Sequence, residues 1–227
     1  MPRMARVIAP GLPHHVTQRG NRREPIFFED GDQDVYCDLL AEHTRKYRVE
    51  VWAWCLMPNH VHLILTPHDE TGLSRAIGAA HRRYTHFINA RGHWIWHLFQ
   101  SRFASVVMDE AHLMAALRYV SLNPVRARLV GRAQDWPWSS VRAHLKAEDD
   151  GLVMVRPVLA RVSNFAELLA RENDEEFAAL RASEGTGRPL GNAEFIAGLE
   201  RILGRRLAKR APGRHPRPDD DRQGVLL

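Results

Sequence analysis

Two histidines one residue apart, His60 and His62, stand in the run Met57-Pro58-Asn59-His60-Val61-His62-Leu63-Ile64-Leu65. On a β-strand alternate side chains share a face, so both imidazoles point one way and Val61, Leu63 and Leu65 the other. Imidazole is a common ligand for divalent metals and is accepted beside oxygen donors, so the pair can hold a metal ion. A His-x-His also arises by chance, and two satisfied core histidines are the plainer reading. The Pro58-Asn59 turn and the strand context favour the metal. A second group lies in Leu117-Arg118-Tyr119-Val120-Ser121-Leu122-Asn123-Pro124-Val125-Arg126. Tyr119 and Asn123 are four apart and share a helical face, while Leu113, Leu117 and Val120 make an apolar stripe elsewhere. A phenol off the stripe, beside an amide able to join a metal, suits a nucleophile with its metal partner. The competing reading is a half-buried tyrosine with Asn123 capping the helix before Pro124. Of the other tyrosines, Tyr36 and Tyr47 pack on an earlier helix. Tyr84 falls on an apolar stripe with Ile77 and Ile88 and reads as core.

The elements that must position these groups follow from periodicity. Residues 12–19 read as a strand, followed by a polar turn at Gly20-Asn21-Arg22-Arg23. A helix is predicted from Asp32 to Tyr47, with Val35, Leu39, Leu40 and His43 at helical spacing. Val49 to Met57 and His60 to Thr66 read as strands, joined through Pro58-Asn59 into a hairpin. Thr71 to Arg91 reads as an amphipathic helix and Phe103 to Met108 as a strand. Asp109 offers an N-cap for a helix from Glu110 to about Asn123, where Pro124 should end it. The order βαββαβα predicts an α+β domain with an antiparallel sheet and helices on one face.

Beyond Trp136-Pro137-Trp138-Ser139-Ser140 the character changes. Residues 1–147 are expected to form the first domain, with a linker at Glu148 to Gly151. A helical extension over 148–211 should carry two helices, Asn164 to Arg181 and Asn192 to Lys209, separated by Gly185-Thr186-Gly187-Arg188-Pro189. The Pro-, Arg- and Asp-rich residues 212–227 are expected to be a disordered tail.

The 227 residues include 32 Lys+Arg against 27 Asp+Glu. Residues 1–144 hold 18 basic and 13 acidic side chains, a net of +5, and residues 145–227 hold 14 of each. Of the basic residues 29 are arginine, which forks onto phosphate oxygens and suits a nucleic-acid partner. A GC-rich genome produces the same bias, so composition alone does not choose. Two cysteines, Cys37 and Cys55, exclude a disulfide framework and a four-cysteine zinc site. No apolar run approaches the roughly 20 residues that cross a bilayer. The N-terminal stretch has Arg3 and Arg6 but no apolar signal segment, so no membrane partner and a cytoplasmic location are expected.

Four blocks now stand in order: Met57 to Leu65, Leu98-Phe99-Gln100-Ser101-Arg102-Phe103, Arg118 to Arg126, and Trp136 to Ser140. Together, over roughly residues 6–144, they resemble REP-associated tyrosine transposases, relatives of the single-tyrosine insertion-sequence transposases of the His-hydrophobic-His (HUH) class. The resemblance implies a ferredoxin-like fold, His60 and His62 as ligands of Mg²⁺ or Mn²⁺, and Tyr119 as nucleophile. It implies attack on single-stranded or hairpin DNA, leaving a 5′-phosphotyrosine and a free 3′-hydroxyl. The insertion-sequence relatives carry a glutamine as metal ligand four residues after the tyrosine. Here that position is Asn123, one methylene shorter. Arg19, Arg22, Arg23, Arg102, Arg126 and Arg128 are candidates for phosphate contacts, and Arg205 and Arg206 for contacts from the extension. Those relatives work as dimers and the REP-associated proteins as monomers, so monomer and homodimer both stay open. A domesticated hairpin-binding protein that no longer cuts, and a metal nuclease that uses water, are the competing functions.

Overall fold

The structure, a computed structural model, describes residues 6–170 and 175–207. Four strands, β1 (His14–Arg19), β2 (Val49–Met57), β3 (His60–Pro67) and β4 (Ala104–Val107), form one sheet in the order β2-β3-β1-β4. All pairings are antiparallel. The two central strands are therefore β1 and β3, and His15 lies opposite Ile64, Thr17 opposite His62 and Arg19 opposite His60. Directly opposed side chains share a face. One face thus carries His15, Thr17, Arg19, His60, His62 and Ile64, and the other carries Val16, Val61, Leu63 and Leu65.

Helices α1 (Asp32–Lys46) and α2 (Gly72–Gly92) cover the second face, where Tyr36, Leu40, Leu73, Ile77 and Tyr84 close over Val16, Val61, Leu63 and Leu65. The expected α+β plan is what forms, with one correction to helices on a single face. Helix α3 (Glu110–Arg126) crosses the histidine face and packs with Cys55, Met57, Ile64 and Val106. Asp109 caps it as expected, accepting a 3.0 Å bond from the His112 amide. Pro124 does not end it. A proline lacks only its own amide donor and cannot bond Val120, so in a last turn the loss is small. The amides of Ala127 and Leu129 close that turn on the carbonyls of Asn123 and Pro124. Asn123 therefore stays helical, one turn on from Tyr119.

After α3, α4 (Val141–Lys146) and α5 (Arg156–Leu159) are short helices that periodicity did not reveal. The stretch expected as a linker is pinned: Asp150 accepts from the amides of Leu152 and Val153 and from the Trp54 indole, and Asp149 accepts from the Val155 amide. The Trp138–Ser140 segment bonds along the outer side of β2, through Leu56 N to Trp138 O and Ser140 N to Trp54 O. In the extension the first expected helix is α6 (Phe165–Ala170) and α7 (Glu175–Thr186), with 171–174 outside the described residues. Helix α7 runs through Gly185, where a turn was expected. The last helix, α8 (Ala193–Leu203), stops at Gly204, whose φ of 60° is cheap only for glycine, so it falls short of Lys209. The expected tail from 212 lies outside the described residues. Phe165, Leu168, Phe177 and Leu180 join the core around α3, while Leu199 and Leu207 pack on Val7, Ala9 and Val107. Leu190 bonds β4 at Val107 O and accepts from Asp109 N.

One ion pair fixes the loop before α1 to α2. Asp32, 1% exposed, takes two hydrogen bonds from Arg91 at 2.6 and 2.9 Å and two more from the Phe28 and Glu29 amides. Burial works against its charge, but these donors outweigh burial and hold the carboxyl below the usual range. A depressed folded value means the pair stabilises above about pH 4 and its contribution is lost as pH falls through the lowered value. Asp32→Asn is expected to cost about 2–3 kcal/mol at neutral pH, measured by urea unfolding, and to flatten the acid limb of the stability profile. Equal stability of variant and parent at pH 7 would contradict the assignment.

Candidate active site

The tight turn between β2 and β3 sets the chemistry of His60. The Asn59 amide nitrogen donates to Arg23 O at 2.9 Å, which turns its Oδ1 toward His60 Nδ1 at 2.6 Å. A carbonyl oxygen only accepts, so His60 Nδ1 must carry the proton and Nε2 is left with its lone pair. Burial, with the Arg19 charge adding, pushes the His60 pKa down to about 4, so the ring is neutral at pH 7. His62 is 1% exposed, and its Nδ1 lies 3.0 Å from His15 Nε2. Burial lowers its pKa well below the ordinary value, and the neighbouring His60, His15 and Arg19 lower it further. Its Nε2 is buried and has no partner. His15, also 1% exposed, is lowered to about 4 by burial.

Tyr119 stands over this pair. Its ring lies edge-on to His62 at 5.4 Å between centroids and to His15 at 6.0 Å. The Arg126 guanidinium sits 5.3 Å from the Tyr119 ring centre and 4.8 Å from that of Phe177 on α7. Phe177 meets the Tyr119 ring at 5.4 Å, leaving the tyrosine 8% exposed. Burial raises the Tyr119 pKa and the Glu184 charge adds, while Arg126, Arg181 and Arg19 pull the other way. The phenol is therefore neutral at pH 7 until something else engages it.

Sequence reasoning brought His60, His62 and Tyr119 to one place and missed two residues. His15 was legible in principle: once β1 and β3 are neighbours, alternation along β1 puts it on the face of His62. Glu184 carried no signal, because only the packing of α7 on α3 delivers it. One ring nitrogen each of His15 and His62 and a carboxylate oxygen of Glu184 all lie within 4.8 Å of one another. Glu184 Oε1 is buried without a partner, and burial raises the carboxyl to about 7 against the pull of Arg19 and Arg181. One ring nitrogen each of His15 and His62 with a carboxylate oxygen of Glu184 are a donor set that fits a divalent cation, and the His60 ring, 4.8 Å from that of His62 between centroids, offers an Nε2 lone pair beside them. Asn123 is half-buried one turn beyond Tyr119.

The candidate arginines divide. Arg19, opposite His60, and Arg126, over Tyr119, border the site. Arg22 and Arg23 lie exposed in a 3₁₀ turn, Asn21–Arg23, that is tied to Asn59. Arg102 is exposed in the loop before β4, and Arg128 is exposed past the end of α3. Arg205 donates to Arg6 O at 2.8 Å beside the N-terminal segment, and Arg206 is exposed next to it. Tyr84 is fully buried and donates to Ile26 O at 2.8 Å, as a core tyrosine should. Among the described residues no helix is long and apolar enough to cross a membrane.

A protein of Haemophilus influenzae bearing the name REP-associated tyrosine transposase is 27% identical over 141 residues, covering 54% of this chain and 80% of its own. The REP-associated tyrosine transposase of Escherichia coli K12 is 27% identical over 122 residues, covering 53% of this chain and 70% of its own. A solved structure of a REP-associated tyrosine transposase bound to a REP hairpin superposes with a TM-score of 0.56 at 22% identity, covering 68% of this chain and 90% of that one. The superposition supports the ferredoxin-like, HUH-type fold. Residues 10–123, half of the chain and the part that holds both histidines and the tyrosine, match the family described as transposase, IS200-like. The chain belongs to the IS200-like transposases.

Proposed function

We propose that this protein cuts and rejoins single-stranded, hairpin-bearing DNA through a covalent bond between Tyr119 and a 5′ phosphate. The observation that carries this reading is the Tyr119 ring edge-on to buried His62, on a helix crossing the face that also bears His60. In the step, the Tyr119 oxygen bonds to phosphorus and the bond from phosphorus to the 3′ oxygen breaks. The phenol proton is balanced by the proton gained at the 3′-hydroxyl. His60 and His62 would hold a divalent cation, Mg²⁺ or Mn²⁺, with Asn123 the expected third ligand. When bound, such a cation polarises the scissile phosphate and offsets charge in the transition state. Arg19 and Arg126 flank the reacting phosphate, and Arg22, Arg23, Arg102 and Arg128 contact the backbone on either side. Of the extension pair, exposed Arg206 is the better phosphate contact, since Arg205 is engaged with Arg6. The hairpin is taken from the structural neighbour, which is bound to one. The protein acts in the cytoplasm, as a monomer or a homodimer.

A second reading, a hairpin-binding protein that does not cut, is favoured by the low exposure of Tyr119 beneath Phe177. End-labelled hairpin DNA incubated with the protein and Mg²⁺ or Mn²⁺, then run on a denaturing gel, separates the readings. A protein–DNA adduct with a shortened strand is expected. Cleavage without adduct would point to water as nucleophile, and retention on a native gel with neither would establish the binder.

A further inference from the structure

We infer that helix α7 of the extension supplies Glu184 as the carboxylate ligand of the cation held at His62, with His15 orienting the His62 ring. This rests on the reading of the histidine face as a cation site and adds a ligand that the catalytic domain does not contain.

The tautomers point the same way. If His62 Nδ1 carries its proton and donates to His15 Nε2 at 3.0 Å, the lone pair on His62 Nε2 is free, and that atom is buried without a partner. A metal-bound histidine ordinarily donates its other ring N–H to such a partner. Glu184 Oε1 is buried and unpartnered, and a carboxylate oxygen of Glu184 lies within 4.8 Å of one ring nitrogen each of His62 and His15, although a buried carboxylate oxygen ordinarily takes a hydrogen bond or a cation. Oxygen donors also decide which ion the site prefers. Imidazoles alone suit zinc, copper or nickel, whereas Mg²⁺ and Mn²⁺ favour carboxylate oxygen. Asn123 brings a neutral amide, and Glu184 brings the negative charge that a hard cation prefers. Position on α7 matters too: Phe177 and Leu180 bury the helix against α3, which holds Glu184 over the histidine face.

Mn²⁺ titration of the full chain, followed by loss of the free-ion electron paramagnetic resonance signal, tests this without catalysis. Wild type is expected to bind. Glu184→Gln, nearly the same shape, should weaken binding by about tenfold or more, and Glu184→Asp should retain part of it. Melting without cation checks the fold of each variant. Mn²⁺ should raise the melting temperature of wild type and leave that of Glu184→Gln almost unmoved. Wild-type binding undiminished in both Glu184 variants would overturn the inference and leave the cation site standing. No binding by wild type would overturn the cation site and the inference together.

Discussion

Tyr119→Phe is expected to abolish the covalent adduct and strand cleavage together, while hairpin affinity stays within a few fold. The substitution removes one oxygen and keeps the ring, so the contacts with His62, His15 and Phe177 survive. It deletes the only atom able to form the phosphotyrosine bond. On the proposed reading affinity rests on arginine contacts to phosphate, which the ring does not make. Tyr84→Phe is the matched control. Tyr84 donates to Ile26 O from a fully buried position, so its variant should lose about 1–2 kcal/mol of stability and keep its chemistry. An adduct formed by Tyr119→Phe and lost in Tyr84→Phe would move the nucleophile to the other tyrosine. Adduct formation by both variants would remove the central residue of the mechanism.

The second large effect is expected at His62. His62→Ala should lower cleavage on the order of 10²–10³-fold or more, the scale seen when one electrostatic contact to a reacting centre is lost. DNA retention should change little. His62→Phe keeps a ring beside Tyr119 and His15 but has no ligating atom, so it separates lost packing from lost coordination. His60→Ala should behave like His62→Ala, with a smaller effect on folding, because His60 is half-buried and held mainly by Asn59. Cleavage at the wild-type rate in all three variants would remove the histidines from the chemistry.

What the sequence disclosed and what it hid divide along physical lines. The β2–β3 hairpin was legible, because the β-branched and aromatic run over Val49–Met57 and the Pro58-Asn59 turn are local signals. So was the cap at Asp109, which needs only its own helix. The end of α3 was misread: proline is a breaker in mid-helix but tolerable in a last turn, and the residues beyond it decide between the two. His15 needed the strand order before its face had meaning. Glu184 depended wholly on tertiary docking, since nothing between Glu175 and Thr186 distinguishes it from a solvated helix carboxylate. The site is thus half local pattern and half long-range packing.

The segment after α3 has a consequence for how copies of this chain meet. An open sheet ends in strands whose unpaired amides and carbonyls invite another chain to add on, the usual route to swapped or aggregated species. Here the outer strand β2 already spends backbone groups on its own chain: Leu56 N on Trp138 O, Trp54 O on Ser140 N, and Val51 O on Met154 N. At the opposite side Val107 O of β4 is taken by Leu190 N, and Met108 pairs with Leu190 as a parallel bridge. The Trp136-to-Ser140 block, which reads as a family marker, therefore works as a guard strip along one rim, and the extension guards part of the other. Strand addition is therefore disfavoured along the guarded stretches of both rims.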